Sequence, residues 1–268
     1  GLAARAADGD RMALEAVVSR ITGDVYNLAL RMLGHPADAE DATQEILVKV
    51  VTRLATFRGD STVRTWVWRV AANHLLSTRR GRGEPPLSFE ALEGRIAEGL
   101  TDDTPAPPPP DAALLEEEVR LGCTQAMLMC LGREERLAYL LAAVFELTGD
   151  EAAAVLEVQP AAFRKRLSRA REALRAFLDR ACGLVEASAP CRCARQVGPC
   201  VRRGMLDAAR PVLAVHPRRA QRDTALWRYY EAIGEVDRAV ALFRSHPDYR
   251  EPESLARGIR AAIEAAGI

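Results

Sequence analysis

Apolar residues recur at three- and four-residue spacing along most of the chain, and no stretch alternates with the period of two that a half-buried strand requires. The spacing predicts a helix over Asp24–Leu33, with Val25, Leu28, Ala29 and Met32 on one face, ending at Gly34-His35-Pro36. A second helix is expected from Asp38, read as its N-cap, through Ala42, Ile46, Leu47 and Val50 to about Ala55. After the short loop Phe57-Arg58-Gly59-Asp60-Ser61 comes a third, from about Thr62 to Arg80. The fold class that follows is all-α.

The pattern dissolves after Gly81. Pro85-Pro86 and the run from Pro105 to Pro110 remove backbone donors, so 83–111 reads as a flexible linker with at most a weak helical turn or two at Phe89–Leu100. Helical spacing returns at Ala112 and continues to Ala181, with breaks at Gly132, Gly149 and Pro160. Gly, Ser, Pro and Cys replace it over 183–193, and short helices punctuated by proline follow. Four segments are therefore expected: a helical domain at 1–82, the linker 83–111, a second helical domain at 112–181 and a helical extension at 182–268. The longest apolar run, Leu137–Phe145, is too short to span a bilayer. With no secretory signal visible either, a cytoplasmic protein with mostly reduced cysteines is expected.

Composition supports the helical reading: 49% of the 268 residues are hydrophobic but only 5% aromatic. The formal net charge is zero, which taken alone argues against a nucleic-acid partner. Local clusters decide binding, however, and arginines crowd 58–82, 164–175 and 192–222 while carboxylates gather at 38–45, 90–118 and 146–157. Such segregation suits a protein that meets DNA with some faces and a basic protein with others, or a chain that folds back on itself.

Three motifs carry candidate chemistry. Asp38, Asp41 and Glu45, with Gln44 alongside, fall on one face of the second helix opposite Ala42, Ile46 and Leu47; an acidic stripe is either a solvated face or a dock for a basic partner. From Phe57 to His74, aromatics interleave with arginine, a mixture that stacks unpaired bases and neutralises phosphates, although Trp66, Val67 and Val70 also fit a core. Beyond Gln159, Pro160 fixes the start of a helix whose buried face is Phe163, Leu167, Ala170 and Leu174. Its outer positions are basic, and with the short helix before it this is a helix-turn-helix.

The first two segments, as Asp38-Ala39-Glu40-Asp41…Gln44-Glu45 and Phe57…Arg64-Thr65-Trp66…Asn73, resemble region 2 of the bacterial sigma factors over roughly residues 8–82. The ending Arg166-Leu167-Ser168-Arg169-Ala170-Arg171-Glu172-Ala173-Leu174 is similar to their region 4. Two such regions with no third between them resemble the extracytoplasmic-function (group IV) sigma factors. The resemblance implies a transcription-initiation factor that directs core RNA polymerase to promoters and helps open the −10 region. It implies that Asp38, Asp41, Gln44 and Glu45 contact the clamp of the largest polymerase subunit. Phe57, Arg58, Ser61, Arg64, Arg69, Asn73, Arg79 and Arg80 would lie on the −10 element. Arg164, Lys165, Arg166, Ser168, Arg169 and Arg171 would lie on the −35 element, with region 4 against the polymerase flap. This chain departs from the family at Ala161-Ala162-Phe163, which affects base preference, and at Ala42-Thr43, where a bulkier apolar pair is usual.

The extension is not part of a minimal sigma factor. Cys182, Cys191, Cys193 and Cys200 with His216 have irregular spacing, and three readings stay open: packed thiols, a zinc site or a redox switch. Cys123 and Cys130 read as core. Residues 225–243 look like one tetratricopeptide-type hairpin, which needs neighbours to bury its face. A regulatory extension making intramolecular contacts with the sigma domains is expected. No cofactor is required, and four histidines with no phosphate-binding glycine loop or hydrolase motif leave no enzyme reading. The alternative is a helix-turn-helix repressor or activator that never joins polymerase, which would have no use for the segments at 38–45 and 57–74.

Overall fold

A computed structural model describes residues 5–6, 9–54, 57, 59, 61–78, 87–102, 112–216, 238–252, 255 and 257–258. The described residues form helices and no strand. In chain order these are α1 (Arg11–Leu33), α2 (Pro36–Arg53), α3 (Val63–Ser77), α4 (Phe89–Leu100), α5 (Ala112–Cys130), α6 (Arg133–Tyr139), α7 (Gly149–Val155), α8 (Pro160–Ala181), α9 (Cys193–Arg202) and α10 (Arg238–Arg244). Arg58, Arg79, Arg80 and most of the expected hairpin at 225–243 lie outside the described residues.

Side-chain caps set the starts of α1, α3, α4 and α7. Asp10 accepts from the Ala13 amide at 3.0 Å and begins α1 well before the predicted Asp24, while Gly34, at φ 82°, ends it in the left-handed conformation that glycine adopts without penalty. In α2, Pro36 occupies the first turn behind His35, which makes no side-chain cap bond. Asp38 is therefore not the N-cap; it stands inside the first turn, where the helix dipole favours a carboxylate. Thr62 caps α3, which ends at Ser77 rather than Arg80. At α7 the full capping box is made between Thr148 and Glu151. Between α6 and α7 the helix widens into a π turn over Leu140–Val144.

The chain divides into two compact units that cut across the predicted segments: 1–84, 133–167 and 249–268 form one, 85–132 and 168–248 the other. In the first unit α1, α2 and α3 pack together around Leu28, Ala29, Ile46, Leu47, Val50, Ala71 and Leu75. The Ala42-Thr43 departure is absorbed there, because Thr43 is fully buried and its Oγ1 donates to the Ala39 carbonyl at 2.6 Å. Helix α7 packs on α3, where Trp68 meets Phe145 with ring centroids 4.7 Å apart, and Arg136 donates to the Met32 carbonyl.

The second unit overturns the reading of 83–111 as simple linker over its described part. Ser88 caps α4, a helix of 12 residues that buries Leu92, Ile96 and Gly99. Phe89 packs on Phe177 at 5.3 Å, and Gln196 Nε2 of α9 donates to the Ile96 carbonyl at 3.0 Å. Flanking prolines bound this helix; they do not enter it. The extension is tied in equally firmly. Leu206, Cys193, Val197 and Cys200 pack on Leu115 and Val119 of α5, and the buried Glu118 carboxylate accepts from the amides of Val212, Leu213 and Ala214. A lone buried carboxylate that satisfies three successive amides removes a desolvation cost on both sides.

Candidate functional site

Helix α2 presents the acidic stripe as expected. Asp38, Asp41, Gln44 and Glu45 are all exposed, while Ala39, Ala42, Ile46 and Leu47 are buried beneath them. Asp38, Asp41 and Glu45 line a cavity of about 470 Å³ together with Lys49 and His74, and with Arg133 and Arg136 of α6. Two arginines at the base of an acidic wall could not be read from α2 alone, because they enter from a segment nearly 90 residues away. Arg133 donates to the carbonyls of Leu76 and Thr78, so it also closes the C-terminus of α3.

His74 joins the two helices. It is buried, its Nδ1 lies 2.6 Å from Lys49 Nζ and its Nε2 3.8 Å from a Glu45 oxygen. Burial holds its pKa below the ordinary value, and the Lys49 charge adds to that against Glu45. The ring is therefore neutral at neutral pH and accepts from the lysine.

Along α3 the expected nucleic-acid residues divide. A second cavity of about 390 Å³ is lined by Trp66, Arg69 and Asn73 together with Lys49 and Arg53 of α2. Trp66 is half-buried and tilted against Phe57 at 5.8 Å. Trp68, not Trp66, is the core tryptophan, 3% exposed. Lys49 and Arg53 were missed in the sequence; their spacing of four on α2 was the available signal. Ser61 and Arg64 lie at the entrance of α3, the latter exposed and 3.9 Å from Asp24. Arg69 lies 3.7 Å from a Glu157 oxygen.

Glu157 sits in the turn between α7 and α8 with φ 53°, a conformation that costs a residue with a Cβ about 1–2 kcal/mol. On α8, Phe163 and Ala170 are buried as expected, and Arg164, Lys165, Ser168, Arg169 and Arg171 are exposed. Arg166 differs from them: it pairs with Glu134 at 2.9 Å and is partly covered.

Among the described residues, no three His, Cys, Asp or Glu side chains are grouped as a metal ion would require. Cys182 and Cys191 face each other across one backbone bridge, and Cys193 and Cys200 share the face of α9 that packs on α5. Burial pushes the Cys191 thiol up to about 11 and Cys193 to about 12. Cys123 of α5 is raised too, first by burial and then by Cys191, Cys182, Cys193 and Cys200, so it belongs to this cysteine group.

Comparison with known proteins agrees with the geometry. The profile described as Sigma-70 region 2 matches residues 17–84, and that described as Sigma-70, region 4 matches residues 121–174. The RNA polymerase sigma-H factor of Pseudomonas aeruginosa is 30% identical over 179 residues, which are 65% of this chain and 90% of the relative. The ECF RNA polymerase sigma-E factor of Escherichia coli K12 is 30% identical over 177 residues, 65% of this chain and 90% of that one. Among solved structures, that of CnrH in complex with the cytosolic domain of CnrY is 27% identical, with a TM-score of 0.47, covering 66% of this chain and 95% of that one. No helix among the described residues is long and apolar enough to cross a membrane. The acidic helix, the arginine-tryptophan helix and the helix-turn-helix thus fall within matched regions, and the chain belongs to the extracytoplasmic-function sigma factors, as a transcription-initiation factor.

Proposed function

We propose that the exposed stripe Asp38, Asp41, Gln44 and Glu45 docks on the polymerase clamp, that the groove holding Trp66, Arg69 and Asn73 takes the −10 strand, and that the basic face of α8 takes the −35 duplex. The observation that carries this reading is the arrangement of α2 and α3, with carboxylates exposed on one helix and a tryptophan-arginine-asparagine groove on the next. Lys49 and Arg53 add positive charge to that groove. The protein would act in the cytoplasm beside polymerase, with the flap as the partner of region 4.

The form described here is a closed one in its first unit. Helix α7 covers part of α3, and Arg69 faces Glu157 rather than solvent. Exposed ion pairs contribute at most about 1 kcal/mol, whereas a tilted aromatic pair adds about 0.5–1.5 kcal/mol beyond the area it buries, so Trp68 on Phe145 is the stronger tie. Autoregulation through the C-terminal extension has separate support: Tyr249, buried in the first unit, bonds to Asn27 of α1. Of the three readings of the cysteines, packed thiols is the one that burial supports: Cys193 and Cys200 pack on Leu115 and Val119, and burial favours the protonated form of Cys123, Cys191, Cys193 and Cys200.

The test is transcription from a promoter library with purified core polymerase and the full chain. Asp41→Lys is expected to abolish polymerase binding while leaving α8 able to bind duplex DNA. Unchanged polymerase binding by Asp41→Lys would move the clamp contact off the α2 stripe.

A further inference from the structure

Beyond the matched regions, the chain returns to region 2 at Tyr249 and Gly258. Tyr249 is buried against α1, and its backbone is held from both sides by one amide: Asn27 Nδ2 donates to the Tyr249 carbonyl at 2.8 Å, and the Tyr249 amide donates to Asn27 Oδ1 at 3.0 Å. Arg31, one turn along, lies 4.8 Å from the Tyr249 ring centroid and 5.9 Å from that of Phe145. Phe145 in turn packs on Trp68. Trp68, Phe145, Arg31 and Tyr249 therefore form one continuous stack joining α3, the segment before α7, α1 and the C-terminal segment. Further on, Leu255 is 1% exposed, and a Cβ at Gly258 would lie 3.0 Å from Gln44 Nε2.

We propose that residues 249–258 are an intramolecular latch, which competes with core polymerase for the Gln44 end of the α2 face and, through Arg31, holds α7 against α3. This rests on the assignment of that face to polymerase. Its chemistry suits a reversible lock. Arg31 is 2% exposed in the latched state, yet a guanidinium is readily hydrated once its ring partner leaves, so the unlatched state is accessible in a way that a buried leucine there would not allow. Asn27 Oδ1 also accepts from Arg31 Nη1 at 2.8 Å and its Nδ2 donates to the Gly23 carbonyl at 2.9 Å, so the amide keeps two partners within α1 while water replaces its two bonds to Tyr249 on release. By linkage, whatever free energy the latch contributes to the closed state is subtracted from polymerase binding.

The experiment measures the affinity of full-length chains for core polymerase by fluorescence anisotropy, with cooperative melting as the check of folding. Tyr249→Ala removes the ring from Arg31, and Leu255→Glu places a carboxylate in the apolar seat nearer the C-terminus. Each is expected to bind about fivefold or more tightly than the parent. Should one of them fail to melt cooperatively, the other decides. Folded variants that bind as the parent does overturn the latch. The parallel Asp41→Lys chain separates this from the assignment beneath it: if it binds as well as the parent, the polymerase face is misplaced and the latch falls with it. Loss of binding in that chain leaves an unchanged Tyr249→Ala or Leu255→Glu as a failure of the latch alone.

Discussion

His74 shows how one residue carries information that its neighbours in sequence do not. It was legible as the end of the aromatic-arginine segment, but its role depends on Lys49 and Glu45, which come from α2. Its depressed pKa, caused first by burial and second by Lys49, fixes the sign of a pH effect. The unfolded chain binds a proton at about the ordinary value of 6.5, the folded one only at lower pH, so stability rises with pH through this window. The contribution of His74 is complete above pH 6.5 and is lost as pH falls through the lowered folded value. Asp38, Asp41, Glu45 and Lys49 from α2 and Arg133 and Arg136 from α6 share its cavity, and of the two charges that shift its pKa Lys49 outweighs Glu45. Denaturation midpoints of the parent are expected to fall below pH 6.5 more steeply than those of His74→Gln, and parallel curves would show that the ring's neutrality is not what the site depends on. The turn residue Glu157 was less legible still. Helix-turn-helix spacing located the turn, but nothing local required a left-handed glutamate, whose carboxylate lies near the distant Arg69.

At the scale of elements, the helices of both matched regions were legible because their caps and buried faces are local. Gly34, Thr62, the Thr148/Glu151 box and Pro160 each act within one turn. Helix α4 was underestimated because proline on either side dominated the reading, although Ser88 and the spacing of Leu92 and Ile96 were there to be used. Its two glycines now predict opposite outcomes from the same substitution. At Gly94 an added Cβ meets nothing within 4 Å, so Gly94→Ala is expected to stabilise by about 1 kcal/mol through helix propensity. At Gly99 the same atom would stand 2.2 Å from Gln196 Oε1. Gly99→Ala gains the same propensity but must displace Gln196, and so strains the packing by about 1–3 kcal/mol. It also breaks the bond to the Ile96 carbonyl, worth about 1 kcal/mol. A net loss of about 1–3 kcal/mol by urea denaturation is expected. If both substitutions stabilise, α9 does not seat on α4 as described.

For the whole molecule, the sequence marked out the two sigma regions and the extension but not the way the compact units form. A boundary drawn at Ala181 followed composition, whereas the units follow packing: Leu115 and Val119 find apolar partners in α9 and Leu206, and Tyr249 finds Asn27 and Arg31 in α1. Such pairings join residues far apart in sequence, from Val119 with Cys193 to Asn27 with Tyr249, and no local periodicity reports them. The closure of α7 on α3 is of this kind, resting on a contact between residues 68 and 145, and it can be followed directly. With 5-fluorotryptophan in place of tryptophan, the Trp68 resonance carries the ring-current shift of Phe145, 4.7 Å away, and is assigned by its loss in Trp68→Phe. If promoter opening requires α3 to be uncovered, adding core polymerase must remove that shift. The Trp66 resonance, on the groove side of the same helix, should move only when −10 single strand is supplied as well. A Trp68 signal unmoved at saturating polymerase would mean that α7 stays on α3 in the holoenzyme. The strand would then have to enter from the Trp66 side, with Arg69 still facing Glu157, which places the melting surface on Lys49, Arg53 and Asn73 instead.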